Sequence, residues 1–570
     1  MFVRVKKSPH SEKKAVQIVE SFRVGGKVRQ RIVRHVGMAK DEEELKKLIE
    51  LAEYIRARME SEERPGLFSA EEMARYAIEG RKEKGEKELK VDLRRLREKK
   101  RVVVGIHEAY GRIYKELGFD RVIGNPARRR AGVRNLFHIV MGRLSSGGSK
   151  MRTVKEMGEG FGVELSLPSV YRMMDLLDEG VKRRIEDRAY DAACGLLGGR
   201  IKVIFYDCTT IYFESFKEDE IRRKGYSKDM KFNETQVLLG VMVTERGLPV
   251  GYEVYEGSRY EGNTVRDAIE KIRERYKVEE VIFVGDSGIL NKKNIEMIEK
   301  LGGKYILGAR IKGMSKEVKE EIGKRESYKE VVSRDGERLW IKEIELGEGK
   351  RLIVTFSEAR ARKDAEDRQE AIERLMKKIE NGGLRPEDLV RNYGYKRFIK
   401  VEGECEVKID EKKIEEDKKW DGLHGVITNH EGMKAEEVIA QYGGLWQVEE
   451  TFRITKHDLK VRPIYHWTPR RIRAHIAICF MALCCARHLE YRLAVQKKAM
   501  SVERIRQALN SVQVSILEHI DTKALYGIPS LIREDAKIIY DTLGLKLSDV
   551  PYEIKRKESN KELSSPYARV

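Results

Sequence analysis

Residues 201–207 read Ile201-Lys-Val-Ile-Phe-Tyr-Asp207, and this stretch decides the fold. It is apolar on both faces, which is typical of a strand buried inside a sheet. An aspartate at the end of such a strand is costly unless it is hydrogen-bonded or bound to a cation. The stretch therefore predicts a buried strand that ends at an aspartate, which is either a functional carboxylate or an ordinary turn-forming residue.

A second strand of this kind, Val281-Ile-Phe-Val-Gly-Asp286, also ends at an aspartate. Between the two aspartates the pattern predicts a hairpin (235–256) and a helix (264–276). A helix (291–300) and a strand (304–307) follow Asp286. The order strand, strand, strand, helix, strand, helix, strand predicts an RNase H-like α/β fold, a mixed sheet with helices on both faces.

A third segment places more charged groups on one helix: Tyr442-Gly-Gly-Leu445-Trp-Gln-Val-Glu449-Glu-Thr-Phe-Arg453-Ile-Thr-Lys456. At about 100° per residue, Tyr442, Leu445, Glu449 and Lys456 share one stripe, and Arg453 lies beside it. An amphipathic helix with a solvated charged face gives the same pattern. The two upstream aspartates favour a functional interpretation of the stripe.

The segments around Asp207, Asp286 and Glu449 resemble those of insertion-sequence transposases of the DDE type. The most similar class has the signature Tyr-x2-Arg-x3-Glu-x6-Lys, which Tyr442, Glu449 and Lys456 match at the signature spacing. Other similar segments are Gly225–Asp229, Leu248–Tyr252 and Arg462–Trp467. The resemblance covers most of residues 200–490 and, more loosely, residues 1–37.

The resemblance implies cleavage of DNA at the element's ends and transfer of the 3′-hydroxyls to target DNA. Asp207, Asp286 and Glu449 would hold two Mg²⁺ ions, with Mn²⁺ as a substitute and Asp207 shared by both ions. Carboxylates are the ligands that such hard cations prefer. Tyr442, Arg453 and Lys456 would contact DNA. A homodimer on DNA is expected, since two ends must be held together.

Leu445 is the main departure from the signature, which has arginine at this position. In the family that arginine grips a phosphate near the cut, and leucine cannot form such a bidentate contact. Some members cut through a hairpin on the transposon end, helped by this contact. The sequence leaves two alternatives: the hairpin step is absent, or Arg453 supplies the contact.

The composition agrees with a DNA partner, since 115 Lys and Arg against 95 Asp and Glu give a net charge of +20. Basic surfaces neutralise phosphates, although many of these charges are ordinary solvated surface. Basic residues cluster in the loop after the Asp207 strand, at Arg222, Arg223 and Lys228. We expect this loop to contact DNA. Other basic runs lie at residues 94–101, 128–134 and 470–473.

Two other functions fit the same residues. One is an RNase H-like nuclease without strand transfer, and the other is a non-catalytic DNA-binding protein derived from a transposase. The six cysteines lack paired Cys-x-x-Cys spacing, so neither a zinc site nor a disulfide framework is expected. A metal site built from histidines such as His424, His457 or His466 is not expected either. No small-molecule substrate is indicated.

Neither a secretory signal nor a membrane span is predicted. The N-terminus is charged, and the longest apolar run (476–486) is shorter than the ~20 residues that cross a bilayer. A cytoplasmic, nucleoid-associated protein is expected.

The length predicts several domains. A β-hairpin unit, a helix and a basic linker would occupy residues 1–105. A helical region (106–195) contains either a helix-turn-helix, over 153–158 and 168–177, or an ordinary bundle. The remaining divisions are the RNase H-like domain in two parts (196–312 and 426–492), a β-rich insertion domain (313–425), and a C-terminal helical region with a charged tail (493–570).

Overall fold

The computed structural model describes residues 1–7, 14–24, 27–39, 41–63, 91–125, 129–199, 201–225, 233–260, 263–276, 282–286, 292–300, 302–332, 338–380, 398–402 and 406–554. The chain forms two units, Met1–Arg94 and Arg95–Val570. Some predictions fall wholly or partly outside the described residues: the first part of the basic linker (79–90), Arg128 of the run 128–134, residues 226–229 with Lys228, and the tail beyond residue 554.

The first unit is an antiparallel three-stranded sheet with one helix packed against it. Its elements are β1 (Phe2–Lys7), β2 (Lys14–Val24), β3 (Lys27–Ala39) and α1 (Glu42–Glu63). Asp41 caps the helix, because its carboxylate accepts a hydrogen bond from the backbone N–H of Glu44 at 2.7 Å. Val16 and Ile18 are fully buried between sheet and helix. The predicted N-terminal hairpin is confirmed.

The second unit begins with one strand and a group of helices. They are β4 (Leu96–Val103), α2 (Gly105–Glu116), α3 (Arg130–Ser145), α4 (Lys150–Phe161), α5 (Leu167–Met174) and α6 (Glu179–Leu196). Side-chain caps at Ser149, Ser166 and Asp178 start α4, α5 and α6. Helices α4 and α5 occupy the segments of the predicted helix-turn-helix, and a role in reading DNA ends stays a prediction.

The central elements follow in the predicted order. They are β5 (Val203–Tyr212), β6 (Gln236–Thr244), β7 (Pro249–Glu256), α7 (Val265–Tyr276), β8 (Ile282–Gly285), α8 (Lys292–Lys300) and β9 (Lys304–Ala309). In the sheet they lie in the order β7-β6-β5-β8-β9, with β5, β6 and β7 antiparallel and β5, β8 and β9 parallel. This arrangement confirms the RNase H-like fold.

The predicted insertion is rich in strands, and most of them extend the same sheet. Its elements are α9 (Lys316–Gly323), β10 (Lys329–Val332), β11 (Arg338–Gly347), β12 (Lys350–Phe356), α10 (Glu358–Glu380), β13 (Ile399–Glu402), β14 (Glu406–Ile409), α11 (Glu411–Lys418) and β15 (Leu423–Thr428). Strand β15 pairs with β9, and β12 pairs with β15. The described sheet therefore has nine strands, in the order β10-β11-β12-β15-β9-β8-β5-β6-β7.

The last part of the chain returns to helices and closes a second sheet. Its elements are α12 (Ala435–Gly443), α13 (Trp446–Arg453), α14 (Pro469–Val495), α15 (Val502–Ser511), β16 (Gln513–His519), β17 (Leu525–Pro529), α16 (Glu534–Leu543) and β18 (Tyr552–Ile554). The sheet order is β18-β17-β16-β4. Because β4 pairs with β16, the basic run 94–101 lies mostly on a strand of the second unit. The first unit ends at residue 94, whereas the sequence predicted a boundary at 105.

The nine-stranded sheet is covered on both faces. Val203 and Phe205 belong to one hydrophobic cluster, and Ile204 and Tyr206 to another, as expected for side chains that alternate along β5. We call the side that carries Phe205 the active-site face. Helices α12, α13 and α14 contribute to its cluster.

Helix α14 is long and apolar enough to cross a membrane, judged by length and composition alone. However, 94% of its apolar window is buried inside the protein. Phe480 on α14 packs on Tyr252 of β7, with ring centroids 4.6 Å apart. The helix is therefore part of the core beneath the active-site face.

Candidate active site

Asp207 lies within β5, and Asp286 directly follows the neighbouring parallel strand β8. The sequence predicted that Asp207 ends its strand, but β5 continues to Tyr212 because residues 208–212 still pair with β6. Phe205 of β5 pairs with Val284 of β8, and each aspartate comes two residues further along the chain. The two aspartates are therefore level, on strands about 4.8 Å apart. Both have the same parity as Phe205 and Val284, so both point to the active-site face.

Glu449 reaches this face from α13, which packs against β5. Gly444, just before α13, lies close to β5, because a Cβ atom built there would lie 2.6 Å from Cζ of Phe205. Leu445 and Val448 are buried in the same cluster, whereas Glu449 is exposed on the helix surface. The helix is thus fixed by its apolar side and presents its carboxylate outwards.

Tyr442 interacts electrostatically with Asp286, at the end of β8, and with Glu449 on α13. Burial raises the pKa of its hydroxyl to about 12, and the negative charges of Asp286 and Glu449 act in the same direction while Arg360 opposes them. Two of the three predicted carboxylates therefore act on one tyrosine. The hydroxyl stays protonated near neutral pH and can donate a hydrogen bond.

His424 on β15 completes this side of the site. Its ring lies 5.1 Å from that of Tyr442, between centroids. Burial lowers the pKa of His424 to about 4, with a further lowering from Arg360 that Asp286 opposes. The imidazole is therefore neutral near pH 7.

The helical stripe predicted from Tyr442 to Lys456 is not one continuous α-helix. Helices α12 and α13 are separated at Gly444, and a π-helical segment (Ile454–Asp458) follows α13. In that segment the backbone N–H of Leu459 donates to the carbonyl of Ile454, five residues earlier, at 2.8 Å. Spacing on an ideal helix therefore does not place Lys456.

Arg453, predicted to contact DNA, is bound within its own helix. Its guanidinium donates two hydrogen bonds to the carboxylate of Glu450, at 2.5 and 2.7 Å. This pairing raises the pKa of Arg453 and lowers that of Glu450. Because Glu450 is held in this bidentate pair, we assign it a structural role, unlike the adjacent Glu449.

Residues 198–485, slightly more than half of the chain, match the family model of the transposase DDE domain. The chain belongs to this family. It is therefore a transposase, an enzyme that cleaves DNA and transfers its strands. Residues 3–70 match the model of the IS1634 family transposase N-terminal domain, which supports an insertion-sequence transposase.

Solved structures of transposases are also similar to this chain. A piggyBac transposase synaptic complex with hairpin DNA aligns over 71% of this chain and 76% of its own, with 8% identity and a TM-score of 0.37. A Mos1 transposase paired-end complex aligns over 47% and 78%, with 14% identity and a TM-score of 0.14. These TM-scores are low, so family membership rests on the family models. No curated protein matches the chain significantly.

The basic loop after β5 of the transposase is partly structural. Arg222 is 4% exposed at its side chain, pairs with Asp219 at 2.7 Å, and donates to the carbonyl of Trp467 at 3.1 Å. In this conformation it presents no surface to a phosphate. Arg223 is 43% exposed and lies 3.6 Å from Glu218, so it remains accessible.

The carboxylates of the transposase suit a hard divalent cation. Asp207, Asp286 and Glu449 offer oxygen ligands, and the exposure of Asp286 and Glu449 leaves room for water ligands. Within the described residues, no three carboxylate, imidazole or thiolate groups already converge as a metal cluster. Transposases of the DDE family use divalent metals, and the donor chemistry here is compatible with that use.

Sequence reasoning missed the contribution of Arg360, and it considered His424 only as one of three histidines with a structural or phosphate-contacting role, without placing it at the site. Arg360 comes from α10, which the sequence assigned to a separate insertion domain. His424 comes from β15, whose pairing with β9 and β12 brings it to the site. Neither residue lies in a motif, and only the pairing of distant strands could have placed them.

Proposed function

We propose that Asp207, Asp286 and Glu449 are the catalytic carboxylates of this transposase. The enzyme would cut DNA at the ends of its own element and join the resulting 3′-hydroxyls to target DNA. The observation that carries the proposal is the level placement of the two aspartates on the face to which α13 brings Glu449. The influence of Asp286 and Glu449 on one tyrosine supports it.

The three carboxylates would hold two divalent cations, Mg²⁺ in the cell and Mn²⁺ as a substitute. Such ions neutralise the phosphate and activate the attacking water or 3′-hydroxyl. Asp207 would be shared by both ions, as the resemblance to the family implies. Asp286 and Glu449 are exposed, so each side chain can rotate towards its ion.

The remaining predicted residues would hold DNA. Tyr442 would donate its hydroxyl near the scissile phosphate, and Lys456 and Arg223 would contact the backbone. Lys228 belongs to the same loop as Arg223 and is proposed on sequence alone. Arg453 would contact DNA only by releasing Glu450.

We also propose that the enzyme works as a homodimer on paired transposon ends and acts at the nucleoid in the cytoplasm. The net charge of +20 supports a DNA partner, since basic surfaces release counterions from phosphates. Two ends must be held together for both to be joined to one target.

The test is cleavage and joining of the gene's own flanking DNA, with Mg²⁺, by wild-type protein and by Asp207→Asn, Asp286→Asn and Glu449→Gln. Each substitution should lower the rate about a thousandfold or more, because several kcal/mol of transition-state stabilisation depend on the bound ions. Glu450→Gln is the matched control, since it removes the neighbouring carboxylate that pairs with Arg453. We expect it to retain most of its activity.

The products also separate the alternatives. Cleavage without joining would favour an RNase H-like nuclease, and DNA binding without cleavage would favour a non-catalytic derivative. If Glu449→Gln is active and Glu450→Gln is not, the third carboxylate is Glu450.

A further inference from the structure

The start of α10 is fixed against the start of β15. The backbone N–H of Ser357 donates to the carbonyl of Gly422 at 3.0 Å, and that of Gly422 donates to Asp364 at 2.9 Å. Gly422 has φ of +75°, and a Cβ there would lie 2.8 Å from Cβ of Ala361. The first turn of α10, which carries Arg360, is therefore held close to β15.

This attachment brings Arg360 near His424. His424 pairs with Thr355 at the end of β12, two residues before Ser357. It has the same parity as Val426, which lies in the cluster of the active-site face. His424 therefore faces Tyr442, in agreement with the ring contact of 5.1 Å.

His424 has an unsatisfied polar atom. Its Nε2 is buried and has no hydrogen-bond partner among the described residues. A buried polar atom without a partner costs free energy, so a group that supplied one would be favoured. The neutral imidazole can exchange a single hydrogen bond with such a group.

The site needs more positive charge than that of Lys456, the one cation that the proposed function takes from this segment for the DNA backbone. Three carboxylates and the incoming DNA phosphates are all negative, Leu445 is buried, and Arg453 is paired with Glu450. Arg360 is exposed, and its guanidinium has no ion pair with the other described residues. Its charge nevertheless acts on both Tyr442 and His424.

We propose that Arg360, with His424 beside it, forms a phosphate-binding subsite on the Asp286 side of the active site. Its ligand is a backbone phosphate of the DNA next to the cut. The planar guanidinium would bind two phosphate oxygens at once, and His424 would add one hydrogen bond. This assignment rests on the proposed function, because it needs DNA at the carboxylates.

The test is a scan of end DNA in which single phosphates near the cut are replaced by neutral methylphosphonates. Binding to full-length wild type, Arg360→Ala and Arg360→Lys is measured without divalent ions. At one linkage, the neutral replacement should weaken DNA binding by wild type about tenfold and should not change DNA binding by Arg360→Ala. Arg360→Lys should lie between them, because an ammonium keeps the charge without the bidentate geometry.

Arg362→Ala is the matched control. It removes the same charge from the next exposed arginine of α10, about 200° around the helix. It should show the wild-type pattern of sensitivity. If Arg360→Ala responds to every linkage as wild type does, the subsite is absent.

Failure of this proposal is distinguishable from failure of the proposed function. In the first case wild type cuts and joins its end DNA while Arg360→Ala and Arg362→Ala behave alike. In the second case wild type itself does not cut.

Discussion

Leu445 is 8% exposed and lies in the hydrophobic cluster of the active-site face, between Tyr442 and Glu449. An arginine at this position would have to bury its charge or displace the helix from β5. Leucine instead helps to fix α13 on the sheet. If Arg360 binds phosphate as proposed, packing at residue 445 and phosphate binding from α10 are separate tasks in this chain.

The electrostatic link between Arg360 and His424 can be tested in the protein alone. Burial and Arg360 together lower the pKa of His424 to about 4. In Arg360→Ala the pKa of His424 should rise, but only part of the way to its ordinary value, because burial is the larger cause. The measurement is an NMR titration of the imidazole in metal-free protein, with His424→Gln to assign the signal.

Arg362→Ala supplies the comparison for this titration. It should leave the pKa of His424 at the wild-type value, since Arg362 does not contribute to it. Equal pKa values of His424 in wild type and Arg360→Ala would contradict the placement of Arg360.

At the scale of elements, the sequence predicts the strands and helices of the central fold well. Short apolar runs followed by an aspartate correctly predict β5 and β8, because strands buried on both faces have nearly continuous apolar sequences. The break between α12 and α13 was missed. Helical spacing assumes ideal geometry, and neither the close contact at Gly444 nor the π-helical segment appears in a local pattern.

A substitution at Gly444 tests whether the close packing of this segment against β5 positions α13. A Cβ at this position would lie 2.6 Å from Cζ of Phe205, whose side chain is buried at 1% exposure. Gly444→Ala should therefore destabilise the protein by about 1–3 kcal/mol and lower cleavage by moving Glu449 away from Asp207. Thermal unfolding and the cleavage assay measure the two effects.

The neighbouring Gly443 is the control for this substitution. Among the described residues, no atom outside its chain neighbours and its own helix backbone lies within 4 Å of a Cβ built there. Gly443→Ala should be neutral or slightly stabilising, because alanine is the better helix former. Loss of activity in Gly443→Ala as well would show that the segment must bend, and that the contact with Phe205 is not the cause.

At the scale of the whole molecule, the feature that is hardest to predict from the sequence is the pairing of strands that are far apart in the chain. The sequence indicates strands in 313–425, but their own pattern does not say that β15 pairs with β9 or that β4 pairs with β16. Such pairings depend on contacts between residues far apart in the chain. This is why the insertion was expected as a separate domain, and why His424 and Arg360 were not placed at the site.

A partly buried ionic network connects the β7 edge of the nine-stranded sheet to two helices. Lys271 of α7 donates to the carboxylate of Glu186 on α6 at 2.6 Å and also binds Glu253 on β7, while Lys182 binds Glu253 at 2.9 Å. Glu186 also accepts the backbone N–H of Tyr252 at 3.0 Å. The network therefore joins two helices to an edge strand of the catalytic sheet.

Removing one member should be costly, because its partners stay buried. Lys271→Met should destabilise the protein by about 3–5 kcal/mol at pH 7. Arg266→Met removes a cation from an exposed pair on the same helix, and should have little effect. Thermal unfolding of the two variants distinguishes a network that stabilises the fold from a solvated cluster.

The same network gives stability a defined pH dependence. Burial raises the pKa of Glu253, but the charges and hydrogen bonds of Lys271 and Lys182 outweigh burial and lower it overall. Because the folded pKa lies below the unfolded value of about 4.3, this stabilisation is present above that value. It is lost as the pH falls through the folded pKa, since the unfolded chain then binds more protons. The melting temperature of wild type should therefore fall more steeply below about pH 5 than that of Glu253→Gln. If the melting temperatures of the two proteins depend on pH in the same way, the lysines do not stabilise the charged form of Glu253.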